Sequence, residues 1–274
     1  MIFKLKKFFD NFVNNLIQKG NYHIAGYIAT IAVSLSDKRI TKVKWDGEDW
    51  EFKWSNGSLY WDSPLIRVKS VSDRNMNLFL QNYTPKNGDT IFDVGAGAGT
   101  EVGHFSRMVG QNGKVFAVEA DPSAARRLRK QVVNLGFKNV EILQIAVGNN
   151  EGIVKLSIAE EGGIENSIKS VVGSTYVEVP CQKLDFIFEK YKLDKISYMK
   201  INIEGAEHDA LLGLNLSINK VQNFCISCHD FTGDPSQATF DKVKEYLETT
   251  GFHISTRPNN PDAVWENYYL FAKQ

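Results

Sequence analysis

A chain of 274 residues with 43% hydrophobic content is long enough for one large domain, or a domain with an added segment, and can bury a sizeable core. Lys plus Arg equals Asp plus Glu at 32 each, so no global field gathers polyanions, and nucleic acid is not an expected partner. Three cysteines, Cys181, Cys225 and Cys228, cannot close a disulfide framework and fit a reducing compartment, here the cytoplasm.

The first predicted elements are helical. Phe8, Phe9, Phe12, Leu16 and Ile17 recur at helical spacing beside Lys4, Lys6 and Lys7, and a second apolar stretch runs from Ile24 to Leu35. That stretch is shorter than the ~18 apolar residues of a membrane span, carries Tyr27, Thr30 and Ser34, and does not follow the layout of a secretion signal. Both helices are expected to pack on the body of the protein, with weak contact to a membrane surface or a second subunit as the alternative use.

In KVKWDGEDWEFKWSNGSLYWDS the aromatics Trp45, Trp50, Phe52, Trp54, Tyr60 and Trp61 surround the turn pairs Asp46-Gly47 and Asn56-Gly57, which predicts β-hairpins. Residues 1–69 thus form a cap of helices and hairpins bound by its aromatics to residues 70–274. A helix over about 70–82 and a turn from Thr84 to Gly88 open the second part. There strands and helices alternate: TIFDVG, VGHFSRMVG, KVFAVEA, SAARRLRKQVVNLG and NVEILQIAVG, a period of about 25 to 30 residues that marks βαβ units on a parallel sheet. Ile153 to Ile158 and Tyr176 to Val179 read as an inserted hairpin around EEGGIENS. The strand ISYMKINIEG, the helix AEHDALLGL, the strand FCISCHDF, the helix FDKVKEYLETTG and the strands FHISTR and NYYLFAK follow.

The stretch DVGAGAGTE, Asp93 to Glu101, joins a strand to a helix. Gly95, Gly97 and Gly99 let the backbone turn and approach a ligand, while the helix start offers unpaired N–H groups. It is neither a dinucleotide fingerprint, since position 100 is Thr100, nor a phosphate loop, since the lysine is missing. The next strand ends in Glu119, placed to accept both hydroxyls of a ribose.

DVGAGAGTE followed by VFAVEADP resembles the first two motifs of class I S-adenosylmethionine-dependent methyltransferases. IAVGNNEG followed by MKINIEGAEHDAL is similar to the FkbM family of methyltransferases, over about residues 70–274 and most specifically in KINIEGAE. The resemblance implies an α/β fold with a Rossmann-like, seven-stranded, mostly parallel sheet whose last strand is reversed. It implies S-adenosyl-L-methionine as cofactor, held by Asp93, Gly95, Gly97, Gly99, Glu101, Glu119, Ala120, Ala146, Val147 and Asn202. It also implies methyl transfer to a hydroxyl oxygen of a sugar, glycan or natural product.

The family generally has Asp where this chain has Asn202, and an amide orients a hydroxyl without taking its proton. Glu204, and His229 at the end of the following strand, are then the groups expected to activate the acceptor, with Asn202 orienting it. Glu207 and His208 read as solvated or capping residues at a helix start. CISCH, residues 225–229, has the spacing of a haem attachment site or half a zinc site, but export and a second ligand pair are both missing. A buried fifth parallel strand is expected instead, with Phe224, Ile226 and Cys228 on one face, Cys225 and Ser227 on the other, and no metal. The rival functions are N-methyl transfer, a protein- or lipid-directed methyltransferase, and a nucleoside-binding domain without catalysis; an oligomer is compatible with all of them.

Overall fold

The computed structural model describes residues 2–66, 68–158, 168 and 175–274. Helices α1 (Ile2–Gln18) and α2 (Tyr22–Ser36) lie against a three-stranded antiparallel meander of β1 (Lys42–Trp45), β2 (Trp50–Trp54) and β3 (Gly57–Trp61). Asp46 sets the first turn by accepting the backbone N–H groups of Glu48 and Asp49. Trp50 faces Trp45 and Trp61 across the strands, and Val13, Ala25, Ala29, Val33, Val43, Phe52 and Leu59 close a small core with it.

The remainder runs α3 (Val68–Phe79), β4 (Thr90–Val94), α4 (Val102–Val109), β5 (Lys114–Val118), α5 (Pro122–Asn134), β6 (Val140–Leu143), β7 (Ala146–Val147), β8 (Gly152–Ile158), β9 (Thr175–Gln182), α6 (Leu184–Lys190), β10 (Tyr198–Ile201), α7 (Glu207–Leu212), β11 (Asn223–Ser227), α8 (Phe240–Thr249), β12 (His253–Thr256) and β13 (Tyr269–Lys273). The central sheet has the order β12-β13-β11-β10-β4-β5-β6, and β13 alone runs against its neighbours. That is the expected seven-stranded sheet with its reversed last strand.

Side chains alternate across the sheet as a pleat requires. Phe92, Phe116, Met199, Phe224 and Ile226 pack on one face with α6, α7 and α8; Ile91, Val115, Tyr198, Cys225 and Phe271 pack on the other with α3 and α4. Because the helices next to β4 and β10 cover opposite faces, a crevice opens at the carboxyl ends of these two strands.

Two readings change. NVEILQIAVG is not one strand: β6 stays in the central sheet, while β7 leaves it to pair in parallel with β9, Ala146 opposite Cys181. Ala146 and Val147 are buried there against Leu156, Val179 and Cys181, a second small core that an apolar run does not distinguish from the first. The inserted hairpin pairs over Gly152–Ile158 and Thr175–Gln182, longer than expected, and EEGGIENS lies outside the described residues. Helix α6 was not anticipated: Leu184, Ile187 and Phe188 make a single turn and a half of apolar spacing straight after a strand.

The cap is tied to α5 through Asp49, which is fully buried and receives Arg126 Nη2 at 3.0 Å, Arg127 Nε at 2.8 Å and Lys130 Nζ at 2.7 Å. Asp49→Ala would leave three converging cations without their common anion. It is expected to cost about 2–3 kcal/mol in denaturant unfolding, somewhat under the roughly 3–5 of a buried-pair deletion because the cations reach solvent and keep Asp46, Glu48 and Asp62. A loss under about 0.5 kcal/mol, as for an exposed pair, would show that the cap docks without it.

Candidate active site

After β4 the chain turns through Gly95 to Glu101 into α4. Gly95 has φ +77°, and a Cβ there would lie 1.9 Å from the backbone oxygen of Asn202, so only glycine lets this loop rest on the end of β10. Beneath it sits an ion pair. Lys200, opposite Asp93 in the β4–β10 register, places Nζ 2.9 Å from Asp93 Oδ1 and donates to the carbonyl of Gly95 at 2.6 Å. Both residues are buried. Burial pulls the lysine down, but Asp93 and Glu101 outweigh it and raise Lys200 above its usual range. Burial likewise pushes the Asp93 carboxyl up to about 6, with Lys200 opposing it.

Just past β5, Glu119 turns back toward the same loop. Its Oε2 accepts the N–H of Gly97 at 2.7 Å and its Oε1 the N–H of Asp121 at 2.8 Å. Burial pushes this carboxyl up to about 7 against those two hydrogen bonds. The crevice between is a cavity of about 260 Å³, with Val118, Ala120, Ile145, Ala146, Val147 and Leu156 along its apolar side and Trp61 of the cap and Arg74 of α3 at its lip.

Of the residues expected to hold the cofactor, Gly95, Gly97, Glu101, Glu119, Ala120, Ala146, Val147 and Asn202 line this cavity. Two do not. Asp93 lies below the loop as the partner of Lys200, and Gly99 faces α5, where a Cβ would meet Gln131 and Leu128. Glu101 is buried and accepts from Asn75 Nδ2 at 2.8 Å, which ties α3 to the loop. Lys200 escaped the sequence reading; the signal available was a lysine inside an otherwise apolar strand, YMKI, which must find an anion if it is buried.

A second cluster stands where β10 and β11 end. Glu204 has φ +53° and Gly205 φ +94°, so the chain reverses sharply after β10 and presents Glu204 to the cavity. At Gly205 a Cβ would lie 2.7 Å from the Cα of Gln237. A left-handed non-glycine residue costs about 1–2 kcal/mol and persists where the surroundings hold it. Here His229 holds it: Nε2 lies 3.1 Å from Glu204 Oε2, while Nδ1 lies 2.9 Å from Glu207 Oε1. Glu207 is fully buried and also accepts the N–H groups of Ile203 and Gly205 and the hydroxyl of Thr239.

Burial pulls His229 down, but the two carboxylates outweigh it and raise it to about 10. Both His229 nitrogens are thus engaged by carboxylates that favour its charged form, an arrangement that fits a brace for Glu204 better than the expected proton acceptor. One expectation is corrected: Glu207 is not solvated but buried against His229, and its carboxyl is lowered because His229 overrides the effect of burial. His208 is half-buried and meets Tyr246 edge-on.

In CISCH, Cys225 packs on one face of the sheet with Tyr198 and Phe271, and Cys228 on the other with the α7–α8 core. Both are free and buried, and burial pushes the Cys225 thiol up to about 12. Two sulfurs on opposite faces do not converge on one ion. Among the described residues no group of three or more His, Cys, Asp or Glu is arranged to hold a metal.

The cavity suits a nucleoside with an amino-acid tail. Glu119 offers a carboxylate to a ribose diol, and the Gly95–Gly97 backbone admits close approach. Asn202 Oδ1 is buried without a partner and fits an ammonium. Arg74, on the cavity wall, fits a carboxylate.

Residues 93–254, more than half of the chain, match the Methyltransferase FkbM domain. The crystal structure of methyltransferase FkbM from Methylobacillus flagellatus KT aligns with a TM-score of 0.50 at 16% identity, over 72% of this chain and 47% of that one, and shows the same fold. A probable cobalt-precorrin-6B C(15)-methyltransferase (decarboxylating) of Sulfolobus acidocaldarius is 42% identical over 57 residues, 21% of this chain and 30% of that protein. Protein-L-isoaspartate O-methyltransferase of Aeropyrum pernix is 33% identical over 100 residues, 34% of this chain and 36% of that protein. The chain thus spans only about a third of the length of these curated relatives. With the match over the loop, Glu119 and the Glu204 turn, the chain belongs to the FkbM family of methyltransferases.

Proposed function

We propose that the enzyme transfers a methyl group to a hydroxyl oxygen of a sugar, glycan or natural-product acceptor. The observation that carries this reading is Glu204, a carboxylate set on the wall of the cavity by a left-handed backbone and braced by the His229 imidazole. A hydroxyl needs a partner for its proton as its oxygen bonds to carbon, whereas a neutral amine is already nucleophilic.

Adenosylmethionine supplies an electrophilic methyl carbon on a sulfonium. Glu119 would hold its ribose, with Asn202 Oδ1 and Arg74 on its amino-acid tail. Glu204 accepts a hydrogen bond from the acceptor hydroxyl and takes its proton as the new carbon–oxygen bond forms. His229 keeps that carboxylate aimed, and Trp61, Ile66 and Phe79 offer an apolar wall to the flat face of a ring.

The test is release of adenosylhomocysteine with matched acceptor panels bearing hydroxyls or amines, with the product located by mass spectrometry. Acceptor-dependent release with hydroxyl compounds alone is expected. Turnover confined to amines, or none with any acceptor while cofactor binds, would overturn the reading.

A further inference from the structure

Helix α2 is apolar on two sides but buries only one. Ala25, Gly26, Ala29 and Val33 lie against the meander, with Gly26 close to the carbonyl of Val43. On the opposite side Ile24, Tyr27, Ile31 and Leu35, spaced three to four residues apart, form a stripe that is 53%, 70%, 48% and 75% exposed. Phe12 of α1 and Ile40 beyond α2 are exposed as well. A soluble monomer seldom leaves so continuous an apolar face in water, and such faces mark interaction sites.

Charge indicates the occupant. The whole chain is neutral, yet residues 1–40 carry Lys4, Lys6, Lys7, Lys19, Lys38 and Arg39 against only Asp10 and Asp37, an excess of four positive charges. A second copy docked on this face by two-fold symmetry would bring the same positive hairpin against it. An anionic lipid surface complements both the apolar stripe and the charge. No helix among the described residues is long and apolar enough to cross a membrane, so the hairpin would lie in the interface plane.

We propose that the outer face of the α1–α2 hairpin docks this enzyme on an anionic lipid surface. The test is co-flotation of the full chain with vesicles of phosphatidylcholine alone or with added phosphatidylserine. Binding is expected with phosphatidylserine only and should fall as salt screens the exposed charges. The exposed double substitution Ile31→Glu with Leu35→Glu should weaken binding roughly tenfold or more, while adenosylmethionine affinity, which reports the fold, stays unchanged. Failure to float with phosphatidylserine vesicles, or equal binding by the double variant, would overturn the proposal. So would a wild-type dimer in light scattering that the double variant converts to monomer, since a second copy would then be the occupant.

Discussion

Glu119→Ala is expected to lower adenosylmethionine affinity by roughly tenfold to a hundredfold in calorimetry, because a charged acceptor of two hydrogen bonds is removed from a desolvated site. The loss has two parts. The ribose loses its diol acceptor, and the N–H groups of Gly97 and Asp121 lose the carboxylate that ties the loop to the end of β5. A pH series separates the charge from the contact. Since burial pushes this carboxyl up to about 7, it is ionised above that value and protonated below it. Wild-type affinity should therefore decline between about pH 8 and about pH 6, whereas Glu119→Gln should be weaker and flat over the same range. Unchanged affinity in Glu119→Ala would sink the assignment of the ribose site.

The second large effect belongs to Glu204. Glu204→Gln should lower turnover at saturating cofactor by roughly a hundredfold or more, with cofactor affinity kept, because an amide of the same shape accepts a hydrogen bond but not the proton. His229→Gln should lower turnover less and mainly through Glu204, whose left-handed turn then lacks its brace.

Stability gives a readout for that positioning role. The folded-state pKa of His229, about 10, is above the ordinary histidine value of 6.5. Its contribution is thus complete below the ordinary value and is lost as pH rises through about 10. Glu207 is lowered, so its contribution is present above the ordinary carboxylate range and is lost as pH falls. The gap in Tm between wild type and His229→Gln should accordingly be wide near neutral pH and narrow toward about pH 10. Near-native turnover in Glu204→Gln would place the base elsewhere, and a pH-independent Tm gap would remove the charged brace.

Much of this protein was legible in its sequence, for reasons that are local. DVGAGAGTE marked a tight strand-to-helix turn because glycine is the residue that tolerates left-handed backbone, and Glu119 followed at the strand end, on the wall of the cavity. The alternation in FCISCH placed Cys225 and Cys228 on opposite faces, since a pleat has a period of two whatever the strand pairs with. The hairpin turns at Asp46-Gly47 and Asn56-Gly57 likewise depend only on neighbouring residues.

The tertiary structure alone decided which charges meet. Lys200 became the partner of Asp93 because β10 lies beside β4 in that register, a pairing between residues more than a hundred positions apart. His229 read as a proton acceptor from its position after a strand, yet the chain after β10 delivers two carboxylates to its two nitrogens, which favours its charged form. Glu207, read as a solvated or capping residue at a helix start, became a buried anchor. NVEILQIAVG split between two sheets because two separate cores compete for its apolar side chains. Period and turn chemistry are properties of a few adjacent residues, whereas the charge state of a buried group is set by what the fold places within a few ångströms of it and by how little water remains there.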